Sequence, residues 1–166
     1  TLWKDRIWIL KNFFTQHECQ AWIDFTEREG ALLEHLQQRA TRYLAARECF
    51  RCARDDRTTA HRIFERLQAS QLFAQLPRFP GEEPSTCNPN LRLYKYEKGM
   101  SFGKHVDESA VISGVGVTRL TALIYLSGCT GGATRFQDTT FFDPLPGALL
   151  VHVHGDECLE HEADPV

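Results

Sequence analysis

The apolar positions change rhythm once along the chain. In the first half they recur at helical spacing: Cys19, Trp22, Ile23 and Phe25 lie on one face of a helix that Gly30 is suited to stop. Thr15 and Glu18 stand in capping-box spacing just ahead of it, where each side chain can satisfy a backbone N–H at the other residue. The segment WILKNFF before the box reads as a short strand. A second helix is predicted from about Thr59 to Leu76, with Ile63, Phe64, Leu67 and Phe73 turned inward. The stretch PRFPGEEPSTCNPN (77–90) holds four prolines and one glycine and reads as a loop and a boundary. Beyond it the rhythm is that of strands: LRLYKY (91–96), RLTALIYL (119–126) and ALLVHV (148–153), with shorter ATRF (133–136) and TTFF (139–142) between them. Turn signals such as GCTGG and DPLPG separate these pieces and leave no room for crossover helices. The expected fold is mainly β with N-terminal helices: an antiparallel sandwich or jelly roll, with 1–90 as helical support and 91–166 as the β core.

Composition narrows this to one domain, since 166 residues at 42% hydrophobic suffice for a single core and not for two. The net charge of −3, without a Lys/Arg cluster, argues against nucleic acid or an acidic membrane surface as partner. No apolar run reaches transmembrane length. Six scattered cysteines read as reduced thiols of the cytoplasm or nucleus, although a chain that starts at Thr1 leaves room for a trimmed leader. Cys49 and Cys52 form a C-x-x-C with no second pair and no redox-motif context, so they carry no predicted chemistry.

The stretch that changes the picture is GKHVDES (103–109). In extended chain, residues i and i+2 project to one side, so His105 and Asp107 can converge on one ion. A third ligand must then come from a distant strand, and VHVHGDECLEHEADPV supplies three candidates in His152, His154 and His161. Two imidazoles and one carboxylate on one face of an ion leave positions open, the arrangement of non-haem Fe(II) that activates O2.

With LRLYKYEKGMSFGKHVDES, LTALIYLSG, GGATRF and PGALLVHVHGDECLEHE in order, the chain resembles the Fe(II)/2-oxoglutarate-dependent dioxygenases, in their prolyl 4-hydroxylase-like branch. NFFTQHECQAWIDFTEREG is similar to the helical opening of the same proteins, so the resemblance spans nearly the whole chain. It implies a double-stranded β-helix (a jelly-roll, cupin-like barrel) with Fe(II) on His105, Asp107 and His161. Tyr125 matches the tyrosine that contacts the 2-oxoglutarate carboxylate, and Tyr96 an aromatic lining the same pocket. His152 and His154 are expected to be structural, one facing the barrel and one facing out; Gly131 and Gly132 form a turn.

The implied cofactors are Fe(II), 2-oxoglutarate and O2, with ascorbate as a reductant. The implied reaction is C–H hydroxylation, first of all of a peptidyl proline or another polypeptide side chain. GEEPSTCNPN and ESAVISGVGVT would frame the mouth. The alternatives are a metal-binding barrel without turnover and a nucleic-acid demethylase, the latter opposed by the charge. One departure stands out. The family clamps the far carboxylate of 2-oxoglutarate with a Lys or Arg on the strand after the distal histidine, yet no basic residue follows Arg135. A truncated chain, short of its last strands, is the expected explanation.

Overall fold

The computed structural model describes residues 6–28, 33–137 and 141–166. Among them, strand β1 (Ile7–Leu10) leads into helix α1 (Gln16–Arg28). The capping box forms as expected: the Thr15 N–H donates to Glu18 Oε2 at 2.8 Å and the Glu18 N–H to Thr15 Oγ1 at 3.1 Å. The Gly30 stop lies outside the described residues. Strands β2 (Glu34–Gln38) and β3 (Arg47–Asp55) follow, then helix α2 (Arg57–Gln68), whose Asp56 cap accepts from the Thr59 N–H at 2.9 Å. The helix stops well before Leu76. Ser70 turns its hydroxyl back onto the Leu67 carbonyl at 2.6 Å, a side-chain bond that competes with the helical ladder. Phe73 still packs edge-on against Phe64, with ring centroids 6.0 Å apart, from a single tight turn at Phe73–Gln75.

The remaining strands are β4 (Asn90–Lys95), β5 (Phe102–His105), β6 (Val111–Ile112), β7 (Gly116–Val117), β8 (Leu120–Ile124), β9 (Thr134–Phe136), β10 (Phe141–Phe142), β11 (Leu149–Val153) and β12 (His161–Ala163). They build two antiparallel sheets and one small hairpin, β6–β7. The smaller sheet runs β1-β11-β8; the larger runs β10-β9-β12-β5-β3-β2, with β4 also on β3. The reading of 1–90 as helical support is therefore corrected. β2 and β3 lie in the larger sheet, and β1 pairs with β11. Sequence gave little warning, because ECFRCARD and EHLQQ are as polar as loops and edge strands alike. Among the described residues no helix is long and apolar enough to cross a membrane.

β11 explains the layering, since both of its faces are buried. Leu149, Val151 and Val153 pack with Trp8, Phe13, Phe14, Cys19, Leu67 and Leu72, joining the smaller sheet to the helices. On the other face Leu150 meets Ile7, Phe136 and Leu159, joining it to the larger sheet. Helices, small sheet and large sheet thus form three layers, and the alternation along one strand serves two interfaces.

The turn into β11 needs Gly147. Its φ is +78°, and a Cβ there would collide with the Phe14 carbonyl oxygen, while its own carbonyl accepts from the Phe14 N–H at 3.0 Å. Gly147→Ala is expected to destabilise the fold by about 2 kcal/mol or more. A urea midpoint within error of the wild type would refute this account of the turn.

Candidate metal centre

β12 enters the larger sheet between β9 and β5, and the register sets His161 directly opposite His105. The two rings lie 4.2 Å apart, centroid to centroid. The β12–β5 register shifts between His161 and Ala163, a bulge that re-aims side chains at this point. Asp107 follows two residues after His105, with Oδ1 3.7 Å from His105 Nε2 and Oδ2 3.8 Å from His161 Nε2. The ligand atoms of His105, Asp107 and His161 all fall within 4.8 Å of one another. The structure therefore brings together the three residues that the family resemblance implied.

Backbone geometry fixes which nitrogen of each ring is free. Nδ1 of His105 lies 2.9 Å from the Gly103 carbonyl and Nδ1 of His161 lies 2.9 Å from the Leu159 carbonyl. A carbonyl only accepts, so each Nδ1 carries the hydrogen and each Nε2 presents a lone pair. That is the tautomer a metal-binding imidazole needs, held by its outer hydrogen bond. Phe102 stacks on His105 at 3.5 Å, and the Arg47 guanidinium lies over the same Phe102 ring at 3.5 Å.

Thr121 and His154 hold Asp107. The Thr121 hydroxyl donates to Asp107 Oδ2 at 2.8 Å and stands 3.1 Å from His154 Nδ1. A hydroxyl has one hydrogen, so His154 Nδ1–H must be the donor to Thr121, completing a chain His154–Thr121–Asp107. The expected outward-facing histidine does not exist. His152 and His154 are two residues apart on one extended segment, so both turn inward, and both are buried. His152 stands closest to the centre: its Nε2 is 3.5 Å from Asp107 Oδ2, and its ring lies 4.7 Å from that of His161. Thr121 and Cys158, whose sulfur accepts from the Asp107 N–H at 3.2 Å, were missed in the sequence, and His152, named among the candidates for the third ligand, was set aside as structural. Thr121 lies opposite His152 in the β8–β11 register, a pairing that only the folded sheet reveals.

Burial works against charge on His105 and His152, beside a carboxylate that keeps part of its surface exposed. Burial, and then the neighbouring His161, push His105 down to about 4; the same two causes push His152 down to about 4. Burial alone would raise Asp107, but the Thr121 hydrogen bond and the surrounding imidazoles outweigh it and leave its carboxyl below the ordinary range.

Tyr125 lies just past β8, on the face that Thr121 and Leu123 share, roughly 13 Å along the strand from Thr121. Its hydroxyl is 2.7 Å from Thr134 Oγ1, its ring packs on Phe142 and Leu150's cluster, and burial raises its pKa to about 12. Tyr96 stacks on Tyr94 with centroids 6.4 Å apart, and burial, then Cys49, raises its hydroxyl as well. It belongs to the β3–β4 side of the larger sheet rather than to the ring cluster. Arg135, the last basic residue, is paired with Asp164 at 2.6 Å.

No protein-family model matches the chain, and no curated protein sequence does either. Solved structures do. A Pseudomonas putida prolyl-4-hydroxylase is 20% identical, covering 98% of this chain and 87% of its own, with a TM-score of 0.63. A prolyl hydroxylase from Trichoplax adhaerens, in complex with a hypoxia-inducible-factor oxygen degradation domain peptide, is 14% identical over 98% of this chain and 78% of its own, with a TM-score of 0.62. The fold is that of the prolyl hydroxylase-like oxygenases. The viral collagen prolyl hydroxylase of Paramecium bursaria Chlorella virus-1, solved with 2-oxoglutarate, matches over 96% of this chain and 94% of its own at 14% identity and a TM-score of 0.57.

Two outcomes test this geometry. Thr121→Val removes the hydroxyl that orients Asp107 and is expected to weaken divalent-metal affinity by roughly 10- to 100-fold with the fold retained. An unchanged affinity would remove Thr121 from the site. The second outcome concerns acid. His105 and His152 titrate near 4 when folded, against 6.5 when free, so below about 6.5 the unfolded chain binds protons that the folded one excludes. The stability of the metal-free protein is then complete above pH 6.5 and falls as the pH drops towards 4, which the urea midpoint measures directly. A midpoint that stays flat over that interval would refute buried neutral rings.

Proposed function

We propose that this protein is an Fe(II)- and 2-oxoglutarate-dependent dioxygenase that hydroxylates a C–H bond of a polypeptide, with a peptidyl proline as the first candidate. The observation that supports it best is the convergence of His105 Nε2, His161 Nε2 and the Asp107 carboxylate within 4.8 Å, with both rings already in the ligating tautomer. Two neutral imidazoles and one carboxylate suit a first-row divalent ion, and as a facial set they leave positions for a chelating co-substrate and O2. The two packed sheets are read as the double-stranded β-helix of such oxygenases, and the similarity to a 2-oxoglutarate complex supports that co-substrate. The similarity to a peptide complex supports a polypeptide substrate.

When bound, Fe(II) would supply activation of O2, with 2-oxoglutarate oxidised to succinate and CO2 as one oxygen atom enters the substrate C–H bond. The chain's own part is to position and to exclude water. Gly103 and Leu159 hold the two imidazoles by their Nδ1 hydrogens, and Thr121 holds one carboxylate oxygen. Phe136, Leu150 and Leu159 keep the inner side apolar. Tyr125, on the face that carries Thr121, is assigned to the co-substrate carboxylate, and Tyr96 to a more distant wall. The β6–β7 hairpin exposes Val111 and Val117 and is joined to the 77–89 loop by the Arg119–Glu82 ion pair, so these two segments form the frame on which a peptide would be laid. The net charge of −3 argues against a nucleic-acid substrate.

The test is an anaerobic titration of the metal-free protein with Fe(II) and then 2-oxoglutarate. A visible metal-to-ligand charge-transfer band is expected in the wild type and in His154→Ala, and neither iron binding nor the band in Asp107→Ala or His161→Ala. Iron binding without the band would mean a metal-binding barrel that does not turn over 2-oxoglutarate. Tight stoichiometric iron in Asp107→Ala would discard the ligand set.

A further inference from the structure

A second set of donors overlaps the first. The ligand atoms of His152, Cys158 and His161 also lie within 4.8 Å of one another. His152 is 1% exposed. Its Nδ1 sits 3.0 Å from the Val153 carbonyl, so its Nε2 holds a lone pair, and that buried atom has no hydrogen-bond partner among the described residues. It faces Asp107 Oδ2 at 3.5 Å, an acceptor turned towards an acceptor. Burying such an atom unpaired costs free energy that a cation in the cavity would recover. Cys158 is delivered by the tight turn Gly155–Glu157 between β11 and β12, and its own hydrogen reaches only the Leu159 carbonyl, at 3.5 Å.

We propose that His152, Cys158 and His161 form a second, softer metal site in the same cavity, which takes a thiophilic divalent ion such as Zn(II). The chemistry of the donors sets the preference. A carboxylate with two imidazoles accepts Fe(II), whereas replacing that carboxylate by a thiolate favours Zn(II) or Co(II). His161 belongs to both sets but has one free nitrogen, because Leu159 occupies the other. The two sites therefore compete: an ion on the Cys158 side removes His161 from the iron set. Ligation would release the thiol hydrogen as a proton to solvent, and no electrons move. Zn(II) has no redox chemistry of its own, so its occupancy would silence an oxygenase. That regulatory consequence rests on the function proposed above; the site itself does not.

The experiment uses the whole, reduced, metal-free chain under anaerobic conditions, with Co(II) as the spectroscopic probe. The wild type is expected to develop a near-ultraviolet thiolate-to-Co(II) charge-transfer band that Zn(II) abolishes. His105→Ala should keep the band while losing iron. Cys158→Ser should lose the band and bind Zn(II) roughly tenfold or more weakly. His152→Gln, which preserves most of the buried volume, should lose the band as well. No band in the wild type, a band that survives Cys158→Ser, or a band lost equally in His105→Ala would each overturn the second site. A wild type that shows the band but takes no Fe(II) would overturn the dioxygenase reading and leave this site standing.

Discussion

The pairing of β12 with β5 is the constraint on which the rest of the centre depends. His105 and Asp107 are neighbours by chain geometry alone, but His161 reaches them only because a three-residue strand is inserted between β9 and β5 in one register. A slip of one residue would turn His161 to the opposite face of the sheet. The register is held by hydrogen bonds on both sides of β12 and by the apolar contacts of Leu159 immediately before it. The Leu159 carbonyl also holds the His161 ring. Packing and chemistry are thus adjacent on the same short segment.

Around that pairing the protein gathers a group of rings that no single strand could assemble. His152 comes from the central strand of the smaller sheet, His105 and His161 from the larger one, and Phe136 touches two of them, at 5.4 Å from His152 and 5.3 Å from His161. Asp107 is the one anion they surround, and its position is set by hydrogen bonds from both sides: Thr121 to its carboxylate, and its own N–H to Cys158. Asp107 is only partly buried and has the Thr121 hydroxyl as donor; the metal proposed above would give its carboxylate a second partner. The presence of a thiol at its edge is what distinguishes this cavity from a simple two-histidine, one-carboxylate set.

The helices contribute by covering the outer face of the small sheet. Because β11 is buried on both sides, the side chains facing the helices leave the inward face free for Leu150 and His152. A sheet with one wet face would have had to expose one of these two sets. The layered cover contributes to the burial that lowers the proton affinity of His152, and burial acts in the same direction on His105.

Much of this was legible in the chain. Strand rhythm located β4, β8, β9 and β11, the capping box located α1, and the i, i+2 spacing put His105 and Asp107 on one side. These are local properties, decided by neighbours a few residues away. Where reading failed, the deciding partner was distant. β3 is a polar segment that becomes a strand because β4 and β5 lie beside it, and β2 because β3 does; α2 is the exception, ending where Ser70 turns back on Leu67 three residues away. His152 and His154 obey the same two-residue rule as His105 and Asp107, so their shared inward direction was available; which direction was inward was not. Nothing in the chain announces that Thr121 meets Asp107, which joins segments from different sheets, or that the turn after β11 folds Cys158 back beside His152. Sequence determined which residues could bind a metal; tertiary packing decided which of them face one another, since only the stacking of two sheets brings their donors within reach of one ion.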